Sequence, residues 1–144
     1  MDEKQELILK GHWCPYCDRG TKLVDARVIY GVDGYGSAYV CEQCFAYCGC
    51  HQGTTKSLGS VANESLRRLR NKTHAIYDPM WKRMLKTTHY SKLEARTACY
   101  MWLATIMGIE IKYCHVGMFT EKQCLDAIHL ITKFNPFKDE TDKR

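Results

Sequence analysis

Two cysteine pairs, Cys14-Pro15-Tyr16-Cys17 and Cys41-Glu42-Gln43-Cys44, decide how this 144-residue chain is read. Each Cys-x-x-Cys can close a tight turn that points both sulfurs at one ion, and 23 residues lie between the pairs. Within that gap, Lys22 to Tyr30 carries Val24, Val28, Ile29 and Tyr30, a β-branched and aromatic run that predicts a strand. Gly31-Val32-Asp33-Gly34-Tyr35-Gly36 follows as a hairpin turn, and Ser37-Ala38-Tyr39-Val40 returns the chain to Cys41. A closed tetrahedral site of four thiolates is the expected result. Soft sulfur donors favour Zn²⁺ and leave no open position for water, so the predicted role is structural. An iron centre would take the same four ligands, and spacing does not separate the two. Metal affinity on the order of 10–16 kcal/mol is then folding energy for a hairpin too small to stand alone. Cys48 and Cys50 lie just beyond, and either could replace Cys44. The two-residue spacing favours Cys44.

Nine cysteines is an odd count, so full pairing would leave one thiol over. The N-terminal MDEKQELILK is charged with no apolar signal behind it, which predicts a cytoplasmic setting where close cysteines bind metal rather than bridge. Hydrophobic residues make up 45% and charged residues 26% of the chain, which excludes a disordered, collagen-like or disulfide-scaffold protein. The longest apolar stretch, Tyr100 to Ile109, is about half of what a bilayer needs, so no membrane partner is expected.

The net charge of +5 is unevenly placed. Residues 1–54 carry five Lys/Arg against seven Asp/Glu, whereas residues 55–92 carry nine against two. Residues 93–144 are balanced. Four zinc-bound thiolates would make the front of the chain more acidic still. A polyanion would therefore meet the middle segment.

Residues 60–134 read as helices. Ser60 is a candidate N-cap, and Ala62, Leu66, Leu69, Thr73 and Ile76 form an apolar face ending near Tyr77. Asp78-Pro79 is expected to break that helix and start another carrying Met80, Trp81, Met84 and Leu85. Ser91 with Glu94 is a capping box for a helix running to about Met107 and stopped by Gly108. Its apolar residues cover most of the circumference, which predicts the central, most buried helix. Thr120 with Gln123 opens a last helix whose inner stripe is Cys124, Ile128, Ile131 and Phe134. The expected class is α+β. Residues 1–54 form the cysteine-bearing part, 55–137 the helical part, and 138–144 a charged, frayed tail.

Outside the cysteine pairs, Asn63, Arg67, Arg70 and His74 form a polar stripe beside the apolar face of the first long helix. An amide, two planar guanidinium forks and an imidazole suit phosphate or carboxylate recognition; a solvated flank is the simpler alternative. Cys50-His51 and Cys114-His115 are adjacent Cys-His pairs that, with Cys124, could make a second metal site or a thiolate–imidazole pair. Cys124 lies on an apolar face, where packing is the default. No paired carboxylates, P-loop, dinucleotide fingerprint or HExxH is present.

Several blocks in order carry a resemblance: CPYC, VIYG, CGCHQGT, SLGSVANESLRRLR, HAIYDPMWK, ACYMWLA and CHVGMF. Over roughly His12 to Ile131 the chain resembles the small zinc-finger-containing domain family of uncharacterised bacterial and phage proteins. The resemblance implies a zinc-ribbon-like β-hairpin packed on a small C-terminal helical bundle, and implies no activity. Asp18 stands where the first knuckle usually has Gly, Cys48 where an aliphatic residue is usual, and Ser57 where Pro is usual.

Three functions are weighed. The first is a zinc-binding protein that associates with nucleic acid through its basic helical surface, since aromatic residues among cations can stack on bases. The second is a protein-interaction factor, for instance phage-encoded, that binds a host enzyme. The third is a small hydrolase or nuclease using the Cys-His pairs with His74, Arg67 and Arg70, which would require a base in reach of the cysteine.

Overall fold

The computed structural model describes residues 2–137, so the charged tail expected from Lys138 onward lies outside the described residues. Two units are formed, one ending at Arg67 and the other beginning at Arg68. The division falls inside a single helix, α3 (Glu64–Thr87). The α+β class holds: the antiparallel strands and the cysteine pairs belong to the first unit together with two short helices, and the longer helices lie largely in the second.

The first unit opens on a helix not expected from the sequence, α1 (Glu3–Leu9), capped by the Asp2 carboxylate, which accepts from the Gln5 N–H at 2.8 Å. Gly11 at φ 78° ends it. A Cβ there would also lie 2.8 Å from the Ser57 hydroxyl and 3.0 Å from the Gly59 carbonyl, so both backbone shape and space demand glycine. β1 (Trp13–Cys14) pairs antiparallel with β2 (Arg19–Gly20) across the first cysteine turn. β3 (Lys22–Asp25), β4 (Ser37–Val40) and β5 (Tyr47–Gly49) form an antiparallel sheet in that order, with Lys22 opposite Val40 and Asp25 opposite Ser37.

The strand predicted over Lys22–Tyr30 therefore stops at Asp25. The Asp25 carboxylate accepts from the Arg27 N–H at 2.9 Å, and Arg27–Tyr30 winds into a one-turn helix, α2, closed by Gly31 at φ 76°. Buried Ala26 donates to the Gly36 carbonyl at 2.8 Å, which closes the hairpin beneath that turn. Tyr47 and Ala62 exchange backbone hydrogen bonds at 3.1 and 2.9 Å, tying the approach to α3 onto β5.

Two helix expectations are corrected. The cap of α3 is not Ser60, which is buried, but Asn63, whose side-chain oxygen accepts from the Leu66 N–H at 3.0 Å. Nor does Asp78-Pro79 start a new helix: α3 runs through it. Pro79 has no N–H to give the carbonyl four residues back, yet Tyr77, Met80, Trp81 and Met84 on either side are buried on one face. Their burial outweighs the missing bond. Asp78 instead accepts from the Trp81 indole N–H at 3.0 Å.

α4 (Lys92–Met107) begins at the Ser91–Glu94 capping box and ends at Gly108 in the left-handed region, as expected. It is not buried all round: Ala95, Cys99, Tyr100, Leu103 and Ala104 face inward, while Leu93 and Met101 are 76% and 55% exposed. Two short 3₁₀ turns, Ile111–Tyr113 and Val116–Met118, lead to α5 (Glu121–Phe134), which opens on the Thr120–Gln123 capping box. Its inner stripe is Cys124, Ala127 and Ile131, and Phe134 is exposed. Fully buried Tyr77, Phe119, Met80 and Leu103 centre this unit, with Tyr77 stacked on Tyr100 at 4.4 Å. Among the described residues no helix is long and apolar enough to cross a membrane.

Candidate metal centre

The first unit brings Cys14, Cys17, Cys41 and Cys44 together, with all four sulfurs within 4.8 Å of one another. Cys14 and Cys44 Sγ are 3.7 Å apart. Four sulfurs at about 2.3 Å from a central Zn²⁺ form a tetrahedron with edges of about 3.8 Å. The cluster thus fits one zinc ion.

Each pair reaches this geometry by the same local device. The Asp18 N–H donates to the Cys14 carbonyl at 2.9 Å, and the Phe45 N–H to the Cys41 carbonyl at 2.8 Å. The residue after each pair turns left-handed, Asp18 at φ 53° and Phe45 at φ 62°. This curls the Tyr16 and Cys17 amides toward the Cys14 sulfur, and the Gln43 and Cys44 amides toward the Cys41 sulfur. Arg19 donates to the Gln43 side chain at 2.9 Å and links the two turns.

Burial raises the Cys14 thiol, and burial together with the neighbouring Cys44 and Cys41 thiols pushes Cys17 up to about 12. Burial would also raise Cys41, but the amides of Cys44 and Gln43 and the thiols of Cys14 and Cys44 outweigh it and hold it at about 7. Thiolates so close repel unless a cation compensates them, which is the electrostatic reason the cluster wants a metal.

Asp18 explains its own departure from the glycine usual at that position. Its carboxylate accepts from the Trp13 indole N–H at 3.0 Å and pairs with Lys4 at 3.0 Å, and both hold it below the usual carboxylate range. Asp also tolerates the left-handed region better than most residues.

The model of a zinc-finger-containing domain family matches residues 10–134. The chain belongs to that family. Searches of curated proteins and of solved structures returned no match. Within this zinc-finger-containing domain Cys44 completes the four-sulfur cluster, and Cys48 and Cys50 lie outside it. Cys48 packs half-buried against the Cys14–Cys41 core, with Ala46, Val61 and Tyr39 around it.

The remaining candidates of the domain are placed as follows. Cys50 forms a bridge to Ser57 through its backbone, and with His51 it lines an open cleft of about 950 Å³ together with Tyr35, Ser37, Gln52 and Thr54. In the second unit, Cys114 is fully buried and burial pushes its thiol up to about 12, so at neutral pH it is a protonated core side chain. His115 is exposed and sets its ring edge-on to Tyr100 at 4.9 Å. Cys124 is fully buried and raised by burial. Among the described residues, neither unit assembles a second set of three metal-ligating side chains.

The four stripe residues on and before α3 all have fold contacts. Asn63 is the cap. Arg67 donates to the Ala62 carbonyl at 2.6 Å and lies over the Tyr47 ring at 4.1 Å. Arg70 is buried and donates through Nε and a terminal nitrogen to the Phe119 carbonyl at 3.2 and 3.0 Å. His74 faces Asp78 at 3.7 Å. Sequence reasoning did not single out Lys82, Lys92 and Arg96, which gather around Trp81 at 5.6, 5.3 and 6.0 Å from the ring centroid. The signal available in the sequence is a tryptophan followed at once by Lys82 and Arg83.

Proposed function

We propose that this zinc-binding protein associates with nucleic acid through the exposed cations of α3 and the start of α4. The observation that carries the reading is charge segregation: nine Lys/Arg against two Asp/Glu over residues 55–92. Lys72, Lys82, Lys86 and Lys92 are exposed there, and none is ion-paired among the described residues. Cations left unpaired on one segment make a favourable site for a phosphate backbone, whose binding releases counterions. Asn63, Arg67, Arg70 and His74 support this surface indirectly, by capping and anchoring the helix that displays it. When bound, zinc supplies the cross-link that holds the first unit's small sheet and two cysteine turns together.

The test is a titration of the zinc-loaded protein with labelled DNA and RNA at two salt concentrations. Binding at low salt that weakens steeply as salt rises is expected. No binding at low salt, or indifference to salt, overturns the reading.

A protein partner is the second reading, favoured by apolar side chains left outside on the first unit. Val28, Tyr30, Val32 and Tyr35 are 65%, 47%, 55% and 63% exposed around the hairpin turn. It predicts a complex that survives nuclease treatment and high salt.

A further inference from the structure

The turn between α3 and α4 combines two features that pure charge attraction does not need. The first is a knot of cations. Lys82 and Lys92 Nζ lie 5.6 and 5.3 Å from the Trp81 centroid, and the Arg96 guanidinium carbon lies at 6.0 Å. Cation–π attraction to one indole draws these like charges together. None of the three is ion-paired among the described residues. Two carboxylates of this helix pair have other partners: Glu94 accepts from the Ser91 N–H at 3.0 Å, and Asp78 accepts from the Trp81 indole and faces His74. Among the described residues, then, no carboxylate is ion-paired with these three cations.

The second feature is a held aromatic ring. Thr88 donates its hydroxyl to the Met84 carbonyl at 2.7 Å, and the Tyr90 N–H donates to that same hydroxyl oxygen at 3.1 Å. Ser91 then opens the α4 capping box. Tyr90 is fixed at its backbone, yet its side chain is 46% exposed. Trp81, only 8% exposed beneath its cations, cannot offer a face to a base, so stacking falls to Tyr90.

We infer that this elbow binds single-stranded nucleic acid, with Lys82, Lys92 and Arg96 taking successive phosphates and Tyr90 stacking on an unpaired base. The inference rests on the nucleic-acid reading above and narrows it: a duplex satisfies the cations but hides its base faces, whereas a single strand satisfies both. Because stacking is tolerant of base identity, little sequence preference is expected.

The test compares binding of a labelled single-stranded oligonucleotide and the matching duplex by the zinc-loaded chain. Lys92→Gln/Arg96→Gln, Tyr90→Ala and Tyr90→Phe are measured beside it, with zinc content and helical circular dichroism as folding controls. The single strand should bind more tightly. The double variant should lose about tenfold or more in affinity, with the salt slope lower by about two. Tyr90→Ala should weaken single-strand binding by about fivefold or more, and Tyr90→Phe should restore it. If the unaltered chain binds but these variants bind equally well, or duplex binds as tightly as single strand, the elbow site is wrong while the broader reading stands. If the unaltered chain binds neither, both fall. Should a variant misfold, the Trp81 indole N–H resonance of the unaltered protein decides: it should shift on titration with the single strand, and an unmoved signal overturns the proposal.

Discussion

At φ 62° Phe45 occupies backbone space that costs an L-residue about 1–2 kcal/mol, and its ring, 68% exposed, recovers little of that by burial. The second cysteine turn requires this conformation whatever residue fills it. Phe45→Gly removes the strain but adds backbone freedom to the unfolded chain, so a net gain of about 0.5–1 kcal/mol is expected. Chemical denaturation of the zinc-loaded protein checks it, and a loss of stability would mean the Phe45 side chain contributes more than its exposure suggests. The ligands give a sharper contrast. Cys44→Ser should abolish stoichiometric zinc binding and the order of the first unit, whereas Cys50→Ser should keep its zinc, as metal analysis of the two purified variants would read. Proton competition sets the pH dependence. Cys17 stands at about 12 without metal, so zinc must displace its proton, and the metal-free form binds more protons than the loaded one. Affinity should therefore rise with pH and zinc should be released as pH falls, seen with a colorimetric chelator; release independent of pH would contradict thiolate ligation.

Among the elements, α3 tests the balance between local rules and burial. If Pro79 sat at the first position of a helix, Pro79→Ala would be nearly neutral, because that N–H has no partner anyway. Inside the continuous helix Glu64–Thr87, the same change should stabilise by about 1–3 kcal/mol, read from the thermal midpoint. The misreading has a physical source: Asp-Pro is a strong local start signal, and only the burial of Tyr77, Met80 and Trp81 carries the helix through it. Val28 and Ile29 misled in the same way. They favour a strand, but the Asp25 side chain turns the chain at Arg27 before pairing can continue. Capping boxes were legible because both partners lie within four residues, and so were the cysteine turns. The cation knot around Trp81 was not, since Lys92 and Arg96 reach that ring from the next helix. Likewise the fold duties of Arg67 and Arg70 depend on Ala62 and Tyr47, and on the distant Phe119 carbonyl.

Across the whole molecule, the two units draw on different sources of stability. In the first, the fully buried positions among the described residues include Cys14 and Cys41 themselves, packed with Ala46 and Val61, and Ala26, Ala38 and Ala62 add little apolar area, so the metal stands in for what is missing. In the second, Tyr77, Phe119, Met80 and Leu103 form a metal-independent core. Chelation should accordingly strip hydrogen-exchange protection from β1 to β5 while leaving α4 and α5 protected. Simultaneous loss in both units would contradict this division. The account depends most on the sulfur cluster, and X-ray absorption at the zinc edge, with elemental analysis of the same sample, addresses it directly. One zinc per chain with four sulfur neighbours at about 2.3 Å is the predicted result; a folded chain without zinc, or a zinc shell containing nitrogen or oxygen, would contradict it.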